Sequence, residues 1–240
     1  MRELQNFSSL NNNNLLVVLP INKFEDFYLN ECLYSLAQQE SLIDLLILAN
    51  GLTADELKAL QTIASGPQIS IIKEIEKGKT ATETVGALKE LNYIIKTTDS
   101  DTFSKVFNEG LNYAISISYK HLAVVEYDDV VDVKWFQYVD TYAAHKPDMD
   151  GFLPLTREIS NGNFIGYFNE ACWVDGFAEV AGIFDLTLLL RFSCMNITGT
   201  VFKTESIQRF SQFNKDENYY RAMKESLRIN YVYEFFLRMI

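Results

Sequence analysis

Residues 121–132 read His-Leu-Ala-Val-Val-Glu-Tyr-Asp-Asp-Val-Val-Asp. Four apolar residues, Leu122 to Val125, run directly into Glu126, Asp128 and Asp129. This is the pattern of a short buried strand whose carboxyl end carries acids. Ligands of open α/β sheets bind outside the carboxyl ends of the strands, so acids placed there face a crevice. Three carboxylates this close repel one another unless a cation lies between them, and a hard divalent ion does this with oxygen ligands alone. Mg²⁺ is usually held by one or two carboxylates plus substrate phosphates, so the chemistry indicated is the handling of a diphosphate. A solvated acidic turn is the competing reading of these residues taken alone.

The rest of the chain must position this stretch. Its 240 residues are 48% hydrophobic and 22% charged, enough for one large α/β domain or two small ones with a sizeable core. The net charge of −11, from 21 basic and 32 acidic residues without a basic run, argues against nucleic acid as a partner. Three widely spaced cysteines, Cys32, Cys172 and Cys194, form no metal-ligand pattern and suggest a reducing, cytoplasmic setting. Residues 1–14 are a polar tail without the layout of a signal peptide. No apolar run approaches the roughly 18–20 residues of a transmembrane segment. The apolar residues 231–240 end without a cap or stop signal, as expected of a piece of a longer chain with further domains.

Residues 15–20, Leu-Leu-Val-Val-Leu-Pro, are a continuous apolar run closed by proline, as in a central parallel strand buried on both faces. Leu29, Cys32, Leu33 and Leu36 then recur at helical spacing over residues 27–39. Residues 43–49 form a second buried run ending in Asn50-Gly51. Thr53 is the expected N-cap of a helix reaching Ala64, with Glu56 completing a capping box. Gly66-Pro67 breaks the chain before a third expected strand, residues 69–75. This β-α-β-α-β order predicts a doubly wound sheet with right-handed crossovers. Residues 84–95 are expected to be helical and 97–101 a polar loop. A helix over 103–116, with Phe103, Val106, Phe107, Leu111 and Ala114 on one face, delivers the chain into the acidic strand. Beyond it are expected a helix at 133–144, strands at 149–155 and 195–202, and helices at 219–226 and 229–240. The aromatic, glycine-bearing residues 162–184 carry no assignment.

Several apparent motifs fail on spacing. Gly78-Lys79-Thr80 imitates the end of a P-loop, but the glycine required five residues earlier is Lys73. No GxGxxG follows the first strand, which disfavours a dinucleotide cofactor. No GxSxG is present, and the two histidines, His121 and His145, leave little room for a Ser/His or Cys/His device. Asn196-Ile197-Thr198 matches the glycosylation sequon by chance, without a secretory signal.

The order of the remaining pieces resembles the family 2 glycosyltransferases. They open with a strand ending in a Pro-x-Asn-like turn, here Pro20-Ile21-Asn22, followed by a Tyr-Leu-x-Glu-Cys-Leu-x-Ser-Leu helix, here residues 28–36. The second strand ends in Asp-Gly-Ser/Thr-x-Asp, matched by residues 50–55 with Asn50 in place of the first acid. A Ser-x-Ala-x-Asn-x-Gly-x-x-x-Ala helix is matched at Ser104, Asn108, Gly110 and Ala114. The Asp-x-Asp-Asp metal motif is matched by Glu126-Tyr127-Asp128-Asp129, with Trp135 downstream. The match covers residues 15–155 well and the C-terminal third loosely.

The resemblance implies an α/β, Rossmann-like GT-A fold with a central, mostly parallel sheet flanked by helices. It implies one catalytic domain over 15–240, with 15–132 binding the nucleotide sugar and 133–240 on the acceptor side. Asp128 is then the expected ligand of Mn²⁺ or Mg²⁺, helped by Glu126 or Asp129. Pro20, Asn22, Asn50, Lys105, Asn108, Glu126 and Tyr127 are the expected donor-binding residues. The partners implied are a nucleoside-diphosphate sugar, with a UDP-sugar favoured, and a hydroxyl of a glycan or other acceptor; inversion is expected. The family's base is an acid in a Glu-Asp pair before a Leu-Arg ending. Leu237-Arg238 supplies that ending, but the pair falls on Tyr231-Val232. Glu234, about one helical turn beyond Tyr231, is therefore the candidate base, with Glu225 as the alternative. Tyr167, Phe168 and Trp173 are candidates for an acceptor wall or for core packing. The other classes are a non-catalytic nucleotide-sugar-binding domain and a sugar nucleotidyltransferase; the latter is disfavoured because residues 20–24 carry neither glycine nor arginine.

Overall fold

The structure is a computed structural model and describes residues 3–4, 14–76, 79–100, 103–160, 163–167 and 197–207. In chain order the elements are β1 (Glu3–Leu4), β2 (Leu15–Ile21), α1 (Asp26–Ala37), β3 (Asp44–Asn50), α2 (Ala54–Ser65), β4 (Gln68–Glu76) and β5 (Lys79–Gly86). They continue with β6 (Asn92–Thr98), α3 (Phe103–Ile117), β7 (His121–Val124), α4 (Trp135–His145), β8 (Gly151–Phe152), β9 (Arg157–Ser160), β10 (Asn163–Tyr167) and β11 (Val201–Lys203).

The main sheet has the order β1-β6-β3-β2-β7-β11-β8. Its centre is parallel: β2 lies between β3 and β7, and β3 pairs β6 on its other side. β11 runs antiparallel to β7 and β8. All seven residues of β2 are buried, which is why its sequence shows no polar alternation. Leu15, Val17 and Leu19 face a core layer shared with Leu29, Leu33 and Leu36 of α1, Leu60 of α2 and Phe136 of α4. Leu16 and Val18 face the opposite layer, with Val106, Phe107 and Leu111 of α3. A Cβ added at Gly110 would lie 2.6 Å from Val18 Cγ1, so that glycine sets how closely α3 approaches β2. The capping box forms as expected: Thr53 Oγ1 accepts from the Glu56 amide at 3.3 Å, and Glu56 Oε2 accepts from the Thr53 amide at 2.7 Å.

The mixed α/β architecture with helices on both faces stands as expected, but the third parallel strand does not. Residues 69–75 belong to β4, which pairs antiparallel with β5 in a two-stranded sheet of their own. The third parallel position is taken by β6, in register with β3 from Asp44↔Asn92 to Asn50↔Thr98. The expected helix over 84–95 is therefore the end of β5, a turn and the start of β6, and the loop expected at 97–101 begins after Thr98. Physically, β5 carries β-branched residues at Thr80, Thr82, Thr84 and Val85, which suit a pleated half-exposed surface better than a helix. Further on, the strand expected at 149–155 is reduced to β8. The described part of the strand expected at 195–202 is a turn, residues 197–200, followed by β11.

The amino ends of the strands are tied by a buried carboxylate. Asp44, 1% exposed, accepts from the Tyr119 hydroxyl at 2.8 Å and from the Asn92 amide. Among the described residues no helix is long and apolar enough to cross a membrane.

Candidate functional site

The chain leaves the sheet where β7 ends. The last paired position is Val18↔Val124, and the Val125 amide still donates to the Val18 carbonyl at 3.0 Å. β2 continues alone on that side as far as Pro20 and Ile21, paired only with β3. Pro20 has no N–H to offer, so it is tolerated where one ladder has already stopped. The strand order also reverses here, since successive crossovers from β2 lead through β3 to β6 and then back to β7 on the other side. Such a switch point is where a doubly wound sheet opens a ligand crevice at its carboxyl edge.

The acidic turn, residues 126–129, follows β7 directly at this switch point. It closes on itself through Asp129 N–H to Glu126 O, 3.1 Å. The connection between β2 and α1, residues 22–25, lies near it. Tyr127 is close enough to Glu25, Lys23 and Tyr28 of that side to feel their charges, and burial pushes its phenol up from the ordinary range. Lys23 is ion-paired with Glu25, and that carboxylate raises its pKa.

The turn is braced from three directions. Below it, the buried thiol of Cys32 in α1 donates to Glu126 O at 3.7 Å. Burial, then the nearby Asp129 and Asp128, push that thiol well up. Further along α1, Ser35 Oγ accepts from Val131 N–H at 3.1 Å, and just past the helix end the Gln39 amide donates to Asp132 O at 2.9 Å. From the far side of the sheet come residues 197–200. Gly199 N–H donates to Val124 O at 2.7 Å, and Thr198 Oγ1 accepts from Glu126 N–H at 3.0 Å. The same hydroxyl hydrogen-bonds the Asp129 carboxylate. Gly199, at φ +72°, gives its carbonyl to the Trp135 indole N–H at 2.7 Å. One threonine hydroxyl thus spans the first and last residues of the turn, and the tryptophan of α4 holds the loop that supplies it.

Asp128 is exposed, while Glu126 and Asp129 are half-buried. Burial is the main influence on Asp129 and raises its pKa; the Thr198 hydrogen bond opposes this, and the Asp128 charge adds to it. Among the described residues no three His, Cys, Asp or Glu side chains converge as a metal cage. The exposed Asp128 and half-buried Asp129 nevertheless fit an ion such as Mg²⁺ that takes its remaining ligands from water and substrate phosphates.

The other predicted site residues are distributed along the same carboxyl edge. Asn22 is exposed beyond β2. Asn50, at the end of β3, is committed within the protein: its Oδ1 accepts from Thr98 Oγ1 at 2.7 Å and Ser100 N–H at 2.8 Å, and its Nδ2 donates to Ser100 O at 3.1 Å. Ser100 in turn donates to Glu109 Oε1 of α3 at 3.1 Å. Lys105 is exposed and Asn108 buried, both in the first half of α3. Glu225, Glu234, Phe168 and Trp173 lie outside the described residues; Tyr167 is half-buried at the end of β10.

No family model and no curated protein matches the chain. Solved structures do. S. aureus TarS 1–349 in complex with UDP-GlcNAc superposes with a TM-score of 0.58 at 14% identity, over 92% of this chain and 54% of that one. The chain shares the TarS fold. A second structure of TarS 1–349 gives a TM-score of 0.56 at 14% identity, over 92% and 55% of the two chains. TarS itself gives 0.56 at 16% identity, over 92% and 34%. The chain thus spans about half the length of TarS 1–349.

Within this fold, the residues that sequence reasoning missed are Thr198, Gly199 and the bracing set Cys32, Ser35 and Gln39. Thr198 was visible only as part of a chance sequon. The available signal was the run Thr198-Gly199-Thr200 just before a strand, with small and hydroxylated residues where an apolar run was expected.

Proposed function

We propose that this chain is the donor-binding and catalytic part of a metal-dependent glycosyltransferase. It moves a sugar, with inversion, from a nucleoside-diphosphate sugar to a hydroxyl of a glycan or other acceptor, with a UDP-sugar favoured. The observation that carries this is the braced acidic turn at the switch point of the sheet. The fold it shares with TarS, one structure of which holds UDP-GlcNAc, supports the choice of donor. Asp128 is the cation ligand, assisted by Glu126 or Asp129. Bound Mn²⁺ or Mg²⁺ supplies positive charge against the departing diphosphate. Pro20, Asn22, Asn50, Tyr127, Lys105 and Asn108 shape the donor site, and Glu234, or alternatively Glu225, takes the proton of the acceptor hydroxyl.

The test is thermal stability with UDP-GlcNAc and with GDP-, CDP- and dTDP-sugars, each with and without Mn²⁺. A ligand of the native state adds about 2.7 kcal/mol at a hundredfold excess over Kd. One nucleotide is expected to stabilise the protein, only with the metal, and Asp128→Asn is expected to abolish that shift and the transfer activity. Full metal-dependent transfer by Asp128→Asn would overturn the assignment. A second reading, binding without transfer, is favoured by one observation, the neutral and internally committed amide at Asn50. It predicts the same metal-dependent shift with neither transfer nor slow donor hydrolysis.

A further inference from the structure

At the opposite edge of the sheet, where β7 begins and β11 ends, lies a pocket of about 470 Å³. Its size is that of small-molecule sites. The register Lys203↔His121 places those two residues side by side across the β11–β7 ladder, and Thr204 N–H donates to Lys120 O at 2.9 Å. Lys120, Lys146 and Lys203 all line the pocket, against the single carboxylate Glu205. This is a concentration of positive charge in a chain of net charge −11. Lys203 is held by Pro147 O at 3.2 Å and by Glu205 at 3.6 Å, so its ammonium is positioned. Ile115, Ala143 and Met149 supply an apolar wall. Thr204, 4% exposed, carries a buried hydroxyl with no hydrogen-bond partner among the described residues. Ser118, also at the pocket, is in the left-handed region at φ +67° because it ends α3 in a Schellman motif, its N–H donating to Ile115 O at 3.1 Å and the Tyr119 N–H to Ala114 O at 3.0 Å.

We infer that this pocket is a second binding site, distinct from the acidic turn, for a phosphorylated small molecule of about sugar-phosphate size. The lysines meet the phosphate as point charges, and the apolar wall meets the carbon skeleton. The two sites are separated by the length of β7, about 13 Å at 3.3 Å per residue. Lysines near the ends of α3 and α4 also favour the helix dipoles. A purely structural role of that kind predicts no response to an anion.

The histidines allow a direct test, because the chain has only His121, at the pocket, and His145, exposed at the end of α4. Burial holds the His121 imidazole below its ordinary pKa. Asp140, the largest of the charges acting on it, opposes this, and Lys120 and Lys203 add to the lowering. A phosphate bound beside it reverses the sign, because an anion favours the imidazolium. Histidine-labelled protein titrated with glucose 6-phosphate should show saturable NMR shifts at His121 and a raised His121 pKa, with His145 unmoved. Inorganic phosphate should act more weakly and glucose not at all. Lys120→Gln with Lys146→Gln should weaken binding about tenfold or more. The metal-dependent nucleotide-sugar shift should be retained in that variant, which separates this site from the proposed donor site. Non-saturating shifts, equal shifts at both histidines, or binding unchanged in the double variant would each overturn the inference. The wild-type titration decides even if the variant does not fold.

Discussion

Thr198 joins the two ends of the acidic turn through one oxygen, accepting from Glu126 N–H and bonding Asp129. Thr198→Val keeps the shape and removes the hydroxyl, taking it from the part-buried Glu126 amide and the half-buried Asp129 carboxylate. It should cost about 1–3 kcal/mol by chemical denaturation. Thr198→Ser should restore most of this, since the hydroxyl and not the methyl makes the contacts. An equal loss in both variants would count against the bracing role. Asp129 gives a prediction of its own. Its pKa is raised in the fold, so the protonated form is favoured by folding. That contribution is complete below the ordinary value of 3.8 and is lost as pH rises through the folded value. Without added metal, Asp129→Asn should therefore have a higher Tm than the parent at pH 7, with the gain shrinking toward pH 4. A gain independent of pH would show that ionisation is not the cause.

At the scale of elements, α3 and β2 meet through Gly110 and Val18, with no room for a methyl. Gly110→Ala raises helix propensity but overpacks this contact. It should destabilise by about 1–3 kcal/mol, against the gain of up to about 1 kcal/mol expected for an exposed helical glycine. Net stabilisation in a urea melt would refute the close approach. Such contacts explain what was legible in the chain. β2, β3 and β7 are continuous apolar runs because neighbouring strands and both core layers cover them, and α1 and α3 show clean apolar stripes. The exchange between β4 and β6 was not legible. Both are Ile-bearing segments, and periodicity does not say which of two such strands joins the sheet. The acids of the turn could be read because unpaired charge after an apolar run is conspicuous. Their support could not: Thr198, Gln39 and Ser35 act through hydrogen bonds to groups far away in sequence that only the tertiary structure brings near.

Across the whole molecule, the sheet presents two unlike edges. At the carboxyl ends of the parallel strands stand Asp128, Asp129 and Glu126; at the start of β7 stand Lys120, His121 and Lys203. The acids after β7 and the lysines beside its start thus lie at opposite ends of one strand, although Glu205 and the buried Asp44 also stand at the amino edge. The two edges share β7, and both depend on residues 197–204. Thr198 completes the turn, while Lys203 and Thr204 complete the basic pocket. Thr198 lies 72 residues beyond Glu126. At about 5–20 residues per second, a growing chain exposes the acidic turn for several seconds before its hydroxyl exists. Over that interval the nascent protein carries a cluster of carboxylates braced only by Cys32, Ser35 and Gln39, beside a parallel sheet lacking β11. The last brace of the turn and the last lining of the pocket therefore arrive together and late, set by the order of synthesis and not by the stability of the core beneath them.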